Sequence, residues 1–315
     1  MKRIMINEIC KVYDGPHATP NKTEYGPIYL GIDAITEDGM LDATQFAHLS
    51  EEDYIKWTKR VIPQENDIVF SYEATLGRYT MIPKGFHGCL GRRLAIIRNV
   101  SNKINTRWLY YYFRSPEWTS FIRNQTVKGS TVDRISVEDF PKYTVPLIPI
   151  GKQNRIVDVL DKIDRRIANN KKINDYLCSQ IQLLFSYLFN LSSIPKSWTK
   201  GVLTDIANIT MGQSPSGDSY NILGNGYPFY QGSTDFGAIF PTIRVYTNKP
   251  SRFASVFDTL LSVRAPVGSL NIAYENCCIG RGLASVHGKY NNNTFVRYLL
   301  KNNRWYFDNI NNSGT

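Results

Sequence analysis

The stretch Gly151–Phe189 constrains everything else in this 315-residue chain. Gln153, Ile156, Leu160, Ile163, Ile167, Asn170, Asn174, Leu177, Ile181, Leu184 and Leu188 recur at gaps alternating between three and four residues. A seam of about five heptads predicts one long helix that packs lengthwise against another helix. No Pro or Gly interrupts it after Gly151, while Pro146 and Pro149 close the preceding segment and Pro195 ends any helical continuation. At ~1.5 Å per residue such a helix is roughly 55 Å long. A rod of that length is a spacer, and the question becomes which modules sit at its two ends. Two seam residues, Asn170 and Asn174, are polar. Either they are buried, which costs stability but sets register and partner number, or the seam meets solvent there. The charges flanking the seam are mixed in sign and read first as a solvated face.

Length allows two globular domains and a connector. An apolar fraction of 42% suffices for packed cores. The net charge of +10 points to an anionic partner, nucleic acid ahead of membrane. No run of about 18 apolar residues is present, so no spanning helix is expected. The N-terminus is basic without an apolar signal core, so no export and a cytoplasmic location are expected. The five cysteines Cys10, Cys89, Cys178, Cys277 and Cys278 are odd in number and lack C-x-x-C spacing. They read as reduced thiols rather than a zinc site, with Cys178 expected to be buried beside Leu177.

Residues 1 to about 147 read as a mixed domain. β-like runs at Ile28–Leu30, Asp67–Tyr72, Tyr79–Ile82 and Leu94–Ile97 are separated by Gly and Pro signals. A helix comes next, capped by Thr106, with Trp108, Leu109, Tyr112 and Phe113 on one face; Glu117–Gln125 forms a second. Lys128–Thr131 is a loop, and Tyr143–Pro149 is an extended exit into the long helix. From about residue 197 the plan repeats. Asp67, Ser71, Ala74 and Gly77 are answered at identical offsets by Asp258, Ser262, Ala265 and Gly268. Gly91-Arg92-Arg93-Leu94-Ala95 is answered by Gly280-Arg281-Gly282-Leu283-Ala284, and Leu109–Phe113 by Val296–Leu300 in character. Gly129-Ser130 is answered by Gly314, where the second copy stops. Several matches in one order establish an internal repeat, and repeats determine architecture. The expected fold is α+β, two homologous mixed α/β domains joined by a long coiled-coil helix.

The segment Pro146-Leu147-Ile148-Pro149-Ile150-Gly151-Lys152-Gln153-Asn154-Arg155-Ile156-Val157, running into Leu160–Asp164, resembles a conserved segment of type I restriction-modification system specificity (S) subunits. Lys152 stands where that family usually has Glu. The second half, with Gly212–Pro215, Pro228–Gly232, Leu261–Gly268 and Ile279–Ala284, is similar to a target recognition domain of the same family. The resemblance implies target recognition domain 1 over residues 1–147, the long-helix spacer over 148–192 and target recognition domain 2, incomplete at its C-terminal end, over 193–315. It further implies that the two domains read the halves of a split DNA sequence and that antiparallel long helices set the spacing. Methyltransferase subunits dock on those helices and carry the restriction-translocase subunits, while the specificity subunit has no active site and no cofactor. A second long helix is missing from the pattern, so a homodimer or another partner for the seam is expected.

The sequence contains no G-x-x-x-x-G-K-[ST] phosphate cradle and no Asn/Asp-Pro-Pro-aromatic methyltransferase motif. His17, His48, His87 and His287 are scattered, and Glu51-Glu52-Asp53 reads as a first helical turn after Ser50 rather than a nuclease metal site. The candidate DNA contacts are basic residues in or beside Gly-rich loops: Arg78, Lys84, Arg92, Arg93, Lys128 and Arg134 in the first copy, Lys249, Arg252, Arg264 and Arg281 in the second. Arg can bind guanine in two-point fashion and either cation can neutralise phosphate. Gln213, Asn225 and Gln231 are candidates for adenine. Arg92 and Arg281 precede apolar runs in both copies and can equally be structural. The rival readings are an enzyme with an unrecognised nuclease or methyltransferase site, and a coiled-coil adaptor that does not touch DNA.

Overall fold

The computed structural model describes residues 2–126, 133–189 and 195–313. The chain divides into two compact units, Met1–Asn169 and Asn170–Thr315, and the boundary falls inside the long helix.

Unit 1 runs β1 (Arg3–Met5), β2 (Cys10–Asp14), β3 (Thr23–Leu30), β4 (Ala47–His48), α1 (Glu51–Trp57), β5 (Ile68–Ser71), β6 (Tyr79–Met81), β7 (Gly88–Leu90), β8 (Leu94–Asn99), α2 (Thr106–Phe113), α3 (Pro116–Gln125) and β9 (Thr144–Pro146). A four-stranded antiparallel sheet has the order β2-β8-β5-β6. The unbroken apolar run of β5 is covered on both faces. Ile68 and Phe70 point into a cluster with Trp108, Phe113 and Phe140, and Val69 into another with Leu30, Leu94 and Ile96. Alternate residues of a strand point to opposite faces, so one short strand feeds two cores. A second sheet, β4-β3-β7, carries a parallel pair, Tyr29 beside Cys89 and Leu30 beside Leu90.

Ser50 caps α1 by accepting from the Asp53 amide at 3.2 Å, as expected. The cap of α2 is Asn105 instead of the expected Thr106. The Asn105 Oδ1 accepts from the Arg107 and Trp108 amides, while the Thr106 hydroxyl accepts from Asn99 Nδ2. Asx side chains reach these unpaired first-turn amides readily. The exit strand β9 is tied back to the N-terminus by antiparallel pairing with β1.

Helix α4 spans Ile150–Leu188 without a break, 39 residues, or roughly 58 Å at 1.5 Å per residue. Unit 2 continues with α5 (Leu203–Ile206), β10 (Ala207–Met211), β11 (Tyr220–Asn221), β12 (Tyr227–Tyr230), β13 (Tyr246–Thr247), β14 (Phe253–Ala254), β15 (Thr259–Ser262), β16 (Leu270–Ile272), β17 (Cys277–Ile279), β18 (Leu283–Gly288), α6 (Asn293–Asn302) and α7 (Arg304–Ser313). Its main sheet, β10-β18-β15-β16, reproduces the unit 1 order strand for strand. Its second sheet again holds a parallel pair, β12 with β17. The repeated letters in the sequence are therefore a repeated fold. Cys10, Cys89, Cys277 and Cys278 are buried, and burial pushes the thiols of Cys10, Cys89 and Cys277 up to about 12. Cys178 is only half-buried, short of the burial expected for it, because its neighbours along α4 meet solvent.

Candidate nucleic-acid interface

Each unit turns its main sheet with the same closed loop. In unit 1 it runs Ser71–Arg78 between β5 and β6. The Ser71 hydroxyl donates to the Thr75 carbonyl and accepts from the Arg78 amide, and the Gly77 amide donates to the Ser71 carbonyl. In unit 2 the Ser262 hydroxyl donates to the Pro266 carbonyl at 2.6 Å and accepts from the Ser269 amide at 2.8 Å, and the Gly268 amide donates to the Ser262 carbonyl. Gly77 and Gly268 have φ of 73° and 91°, a region glycine occupies without steric cost. Upstream, the buried Asp67 accepts from the Gln64 amide and from Arg98, while Asp258 accepts from the Ser255 amide, Ser285 and His287. Arg98 and His287 stand at matching places on β8 and β18. The repeated Asp, Ser and Gly thus close and brace one loop in two copies.

A second shared turn comes after the parallel pair. The Gly91 amide donates to the Leu30 carbonyl and the Tyr72 amide to the Arg93 carbonyl; Gly280 with Tyr230, and Val263 with Gly282, do the same in unit 2. A Cβ on Gly91 would stand 2.5 Å from the Leu30 carbonyl oxygen, so the turn closes only on glycine. Arg92 and Arg281 project from these turns. Both are exposed, and neither makes a side-chain ion pair or hydrogen bond among the described residues. Each borders an open cavity, of about 390 Å³ in unit 1 and about 620 Å³ in unit 2. Tyr29 lines the first and Phe229 the second, from the same place on the parallel strand.

The other candidates divide into committed and uncommitted cations. Arg78 turns inward, donating to the Ile35 carbonyl at 2.7 Å with its Nε buried and unpartnered. Arg93 pairs with Glu73 at 2.9 Å. Lys249 pairs with Asp218 at 3.2 Å on the surface. Lys84, Arg134, Arg252 and Arg264 are exposed. Arg134 joins Glu73 in an isolated backbone bridge, and Arg264 occupies the loop position that Glu73 holds in unit 1. Lys128, the loop assigned to Lys128–Thr131 and Gly314 lie outside the described residues. Gln213, Asn225 and Gln231 are exposed; the Gln231 Oε1 accepts from the Ser214 hydroxyl on the cavity wall. Sequence reasoning passed over Lys22 and Arg244, which line the two cavities from places with no linear motif; Arg244 is held by Asp235. Among the described residues no three His, Cys, Asp or Glu side chains gather as metal ligands. Among them, too, no helix is long and apolar enough to cross a membrane.

Helix α4 uses different faces for different tasks. Gln153 is fully buried within unit 1 and is not part of the outer seam. Its Oε1 accepts from the Asn105 amide at 2.7 Å and its Nε2 donates to the Lys103 and Ile148 carbonyls. Val157 is buried beside it. Arg107 and Tyr111 both donate to Asp161 at 2.6 Å, and Tyr111 also reaches Asp164. Burial opposes the charge of Asp161, but hydrogen bonds from Tyr111 and Arg107 outweigh it and hold the carboxyl below its usual range. Burial, with hydrogen bonds to the two carboxylates, pushes the Tyr111 phenol well up. Within unit 2, Phe185 packs on Phe295 and Tyr298, and Gln182 and Ser186 donate to Asn302. The outer stripe is uncovered: Ile163, Ile167, Leu177, Ile181 and Leu184 are 49, 58, 50, 44 and 56% exposed. Ile156 and Leu188 are exposed as well, Leu160 is half-buried, and Asn170 and Asn174 meet solvent.

Residues 1–177 match the family described as the type I restriction modification DNA specificity domain. The chain is 30% identical over 319 aligned positions to the type I restriction enzyme MjaX specificity subunit of Methanocaldococcus jannaschii, covering 92% of this chain and 72% of that protein. A crystal structure of a type I restriction-modification S subunit from M. genitalium shares the fold, with a TM-score of 0.52 at 15% identity over 98% of this chain and 79% of the other. The HsdS subunit from Thermoanaerobacter tengcongensis is 26% identical with a TM-score of 0.40, covering 97% and 80%.

Proposed function

Because the chain belongs to the type I restriction-modification DNA specificity family, we propose that it is the member of such a complex that reads a DNA target in two parts. It is a specificity subunit and not itself a catalyst. Unit 1 takes one half of the target and unit 2 the other. Methyltransferase subunits dock on the long helix and bring the restriction-translocase subunits with them. The observation that carries this reading is the duplicated module: the same strand order, closed loop and unpaired arginine turn occur twice. Two copies of one scaffold with different loop side chains suit a target read in halves. Half-sites on one face of B-DNA recur every ~34–36 Å, a distance that a helix of roughly 58 Å can span. The net charge of +10 favours a polyanion.

The outer stripe of α4 is assigned to a second long helix, supplied by another copy of this chain and running antiparallel. About a centre at Lys172, Asn170 then faces Asn174, Ile167 faces Leu177, Ile163 faces Ile181 and Leu160 faces Leu184. The two polar residues meet each other, as a register-setting pair should.

Binding of the full chain to duplex DNA across a salt series tests the reading. Several phosphate contacts predict an affinity that falls about 1,000-fold or more between about 50 and 200 mM salt. A coiled-coil adaptor would show no salt-dependent binding, and that result would overturn the proposal.

A further inference from the structure

The two units share a scaffold but differ in the side chains that decorate it. Glu73 is answered by Arg264, and Arg93 by Gly282, so the unit 1 ion pair Arg93–Glu73 becomes in unit 2 an exposed cation with no ion pair among the described residues. Gly31 is answered by Gln231 on the cavity wall. Against this variation one feature is constant. A glycine-closed turn carries an exposed, uncommitted arginine beside a cavity in both units, Arg92 in one and Arg281 in the other. Arg78, Arg93, Arg98 and Arg244 are by contrast held by protein partners, and the exposed Arg264 has Glu73, not an arginine, at its matching place in unit 1.

A side chain kept the same in two modules that read different bases is suited to an element present in both half-sites. That common element is the sugar-phosphate backbone, because base edges are what distinguish the halves. We infer that Arg92 and Arg281 are paired phosphate clamps, setting the position of each module on the duplex without reading sequence. The turns supply the rigidity this requires. The Arg92 amide is held by the Tyr29 hydroxyl at 3.1 Å, and the turn backbone is bonded to neighbouring strands on both sides. This leaves Arg264, Gln231 and the Lys22 wall free to differ between modules and to discriminate bases. The inference rests on the DNA-reading function proposed above and assigns a mode of contact within it.

The experiment uses the full chain and two short duplexes, one of A·T pairs only and one of G·C pairs only, with anisotropy measured across a salt series. Arg92→Ala with Arg281→Ala should weaken binding to both duplexes alike, roughly tenfold or more, and make the log–log salt slope shallower by about 1.8. Arg92→Lys with Arg281→Lys should restore slope and affinity, since a point charge satisfies phosphate. Neither guanidinium has a protein partner among the described residues, so thermal melting of all variants should match the parent. A loss confined to the G·C duplex and not rescued by lysine would make both residues guanine readers and overturn the inference. An unchanged slope would overturn it too. In both cases the parent still binds and the broader proposal stands; if the parent binds neither duplex, that proposal fails and takes this one with it.

Discussion

Asp67 and Asp258 are single side chains that hold a whole turn. Each is buried, each satisfies a backbone amide three residues back, and each meets a basic residue on the neighbouring strand. Removing the buried Asp67 carboxylate breaks the pair with Arg98, leaving that guanidinium only the Ile62 carbonyl and the Tyr13 ring, and orphans the Gln64 amide, a loss of about 3 kcal/mol or more. We therefore predict that Asp67→Ala lowers the stability of unit 1 by that amount while amides of unit 2 keep their hydrogen-exchange protection; loss of protection in both units, or in neither, would contradict this. These aspartates were visible in the sequence because the loop they brace is duplicated, and the letters repeat with it. Gln153 was not legible in the same way. Its spacing fits the heptad, yet its side chain turns into unit 1 and is consumed by three hydrogen bonds. Periodicity reports where a residue sits around a helix, not which polar groups wait opposite it. Lys22 and Arg244 were missed because cavity walls are assembled from distant segments.

At the scale of elements, the long helix came through from sequence to structure within one residue at either end, because a heptad repeat with no Pro or Gly after Gly151 leaves few alternatives. The small strands did not. β11, β13 and β14 are two residues each, too short to show alternation, so the larger second sheet of unit 2 had no sequence signal. The helix also divides its labour by face, with Val157 and Phe185 inward and the Ile163–Leu184 stripe outward. Charging that stripe should separate docking from folding. Ile163→Lys with Ile181→Lys is predicted to convert the chain from dimer to monomer in light scattering while leaving both units folded, since neither residue is buried. A parent chain that is monomeric at high concentration would contradict the assignment of the stripe to a second copy.

At the scale of the molecule, one structural module occurs twice and a single unbroken helix connects the two occurrences in the chain. Sequence displayed that duplication through Asp, Ser and Gly at repeated offsets, because those residues close turns that few other side chains close as well. Under the proposed function, base preference resides in loop side chains whose contacts depend on a bound duplex, so it has no linear signature. The central claim is that the two units read two separate halves of one target. It is tested most directly by sequencing the duplexes that the full chain, with its methyltransferase subunits, retains from a randomised library. The account predicts enrichment of two short blocks separated by a constant number of unread base pairs, with Arg264→Ala disturbing the block read by unit 2 alone. Enrichment of one contiguous block, or of none, would contradict it.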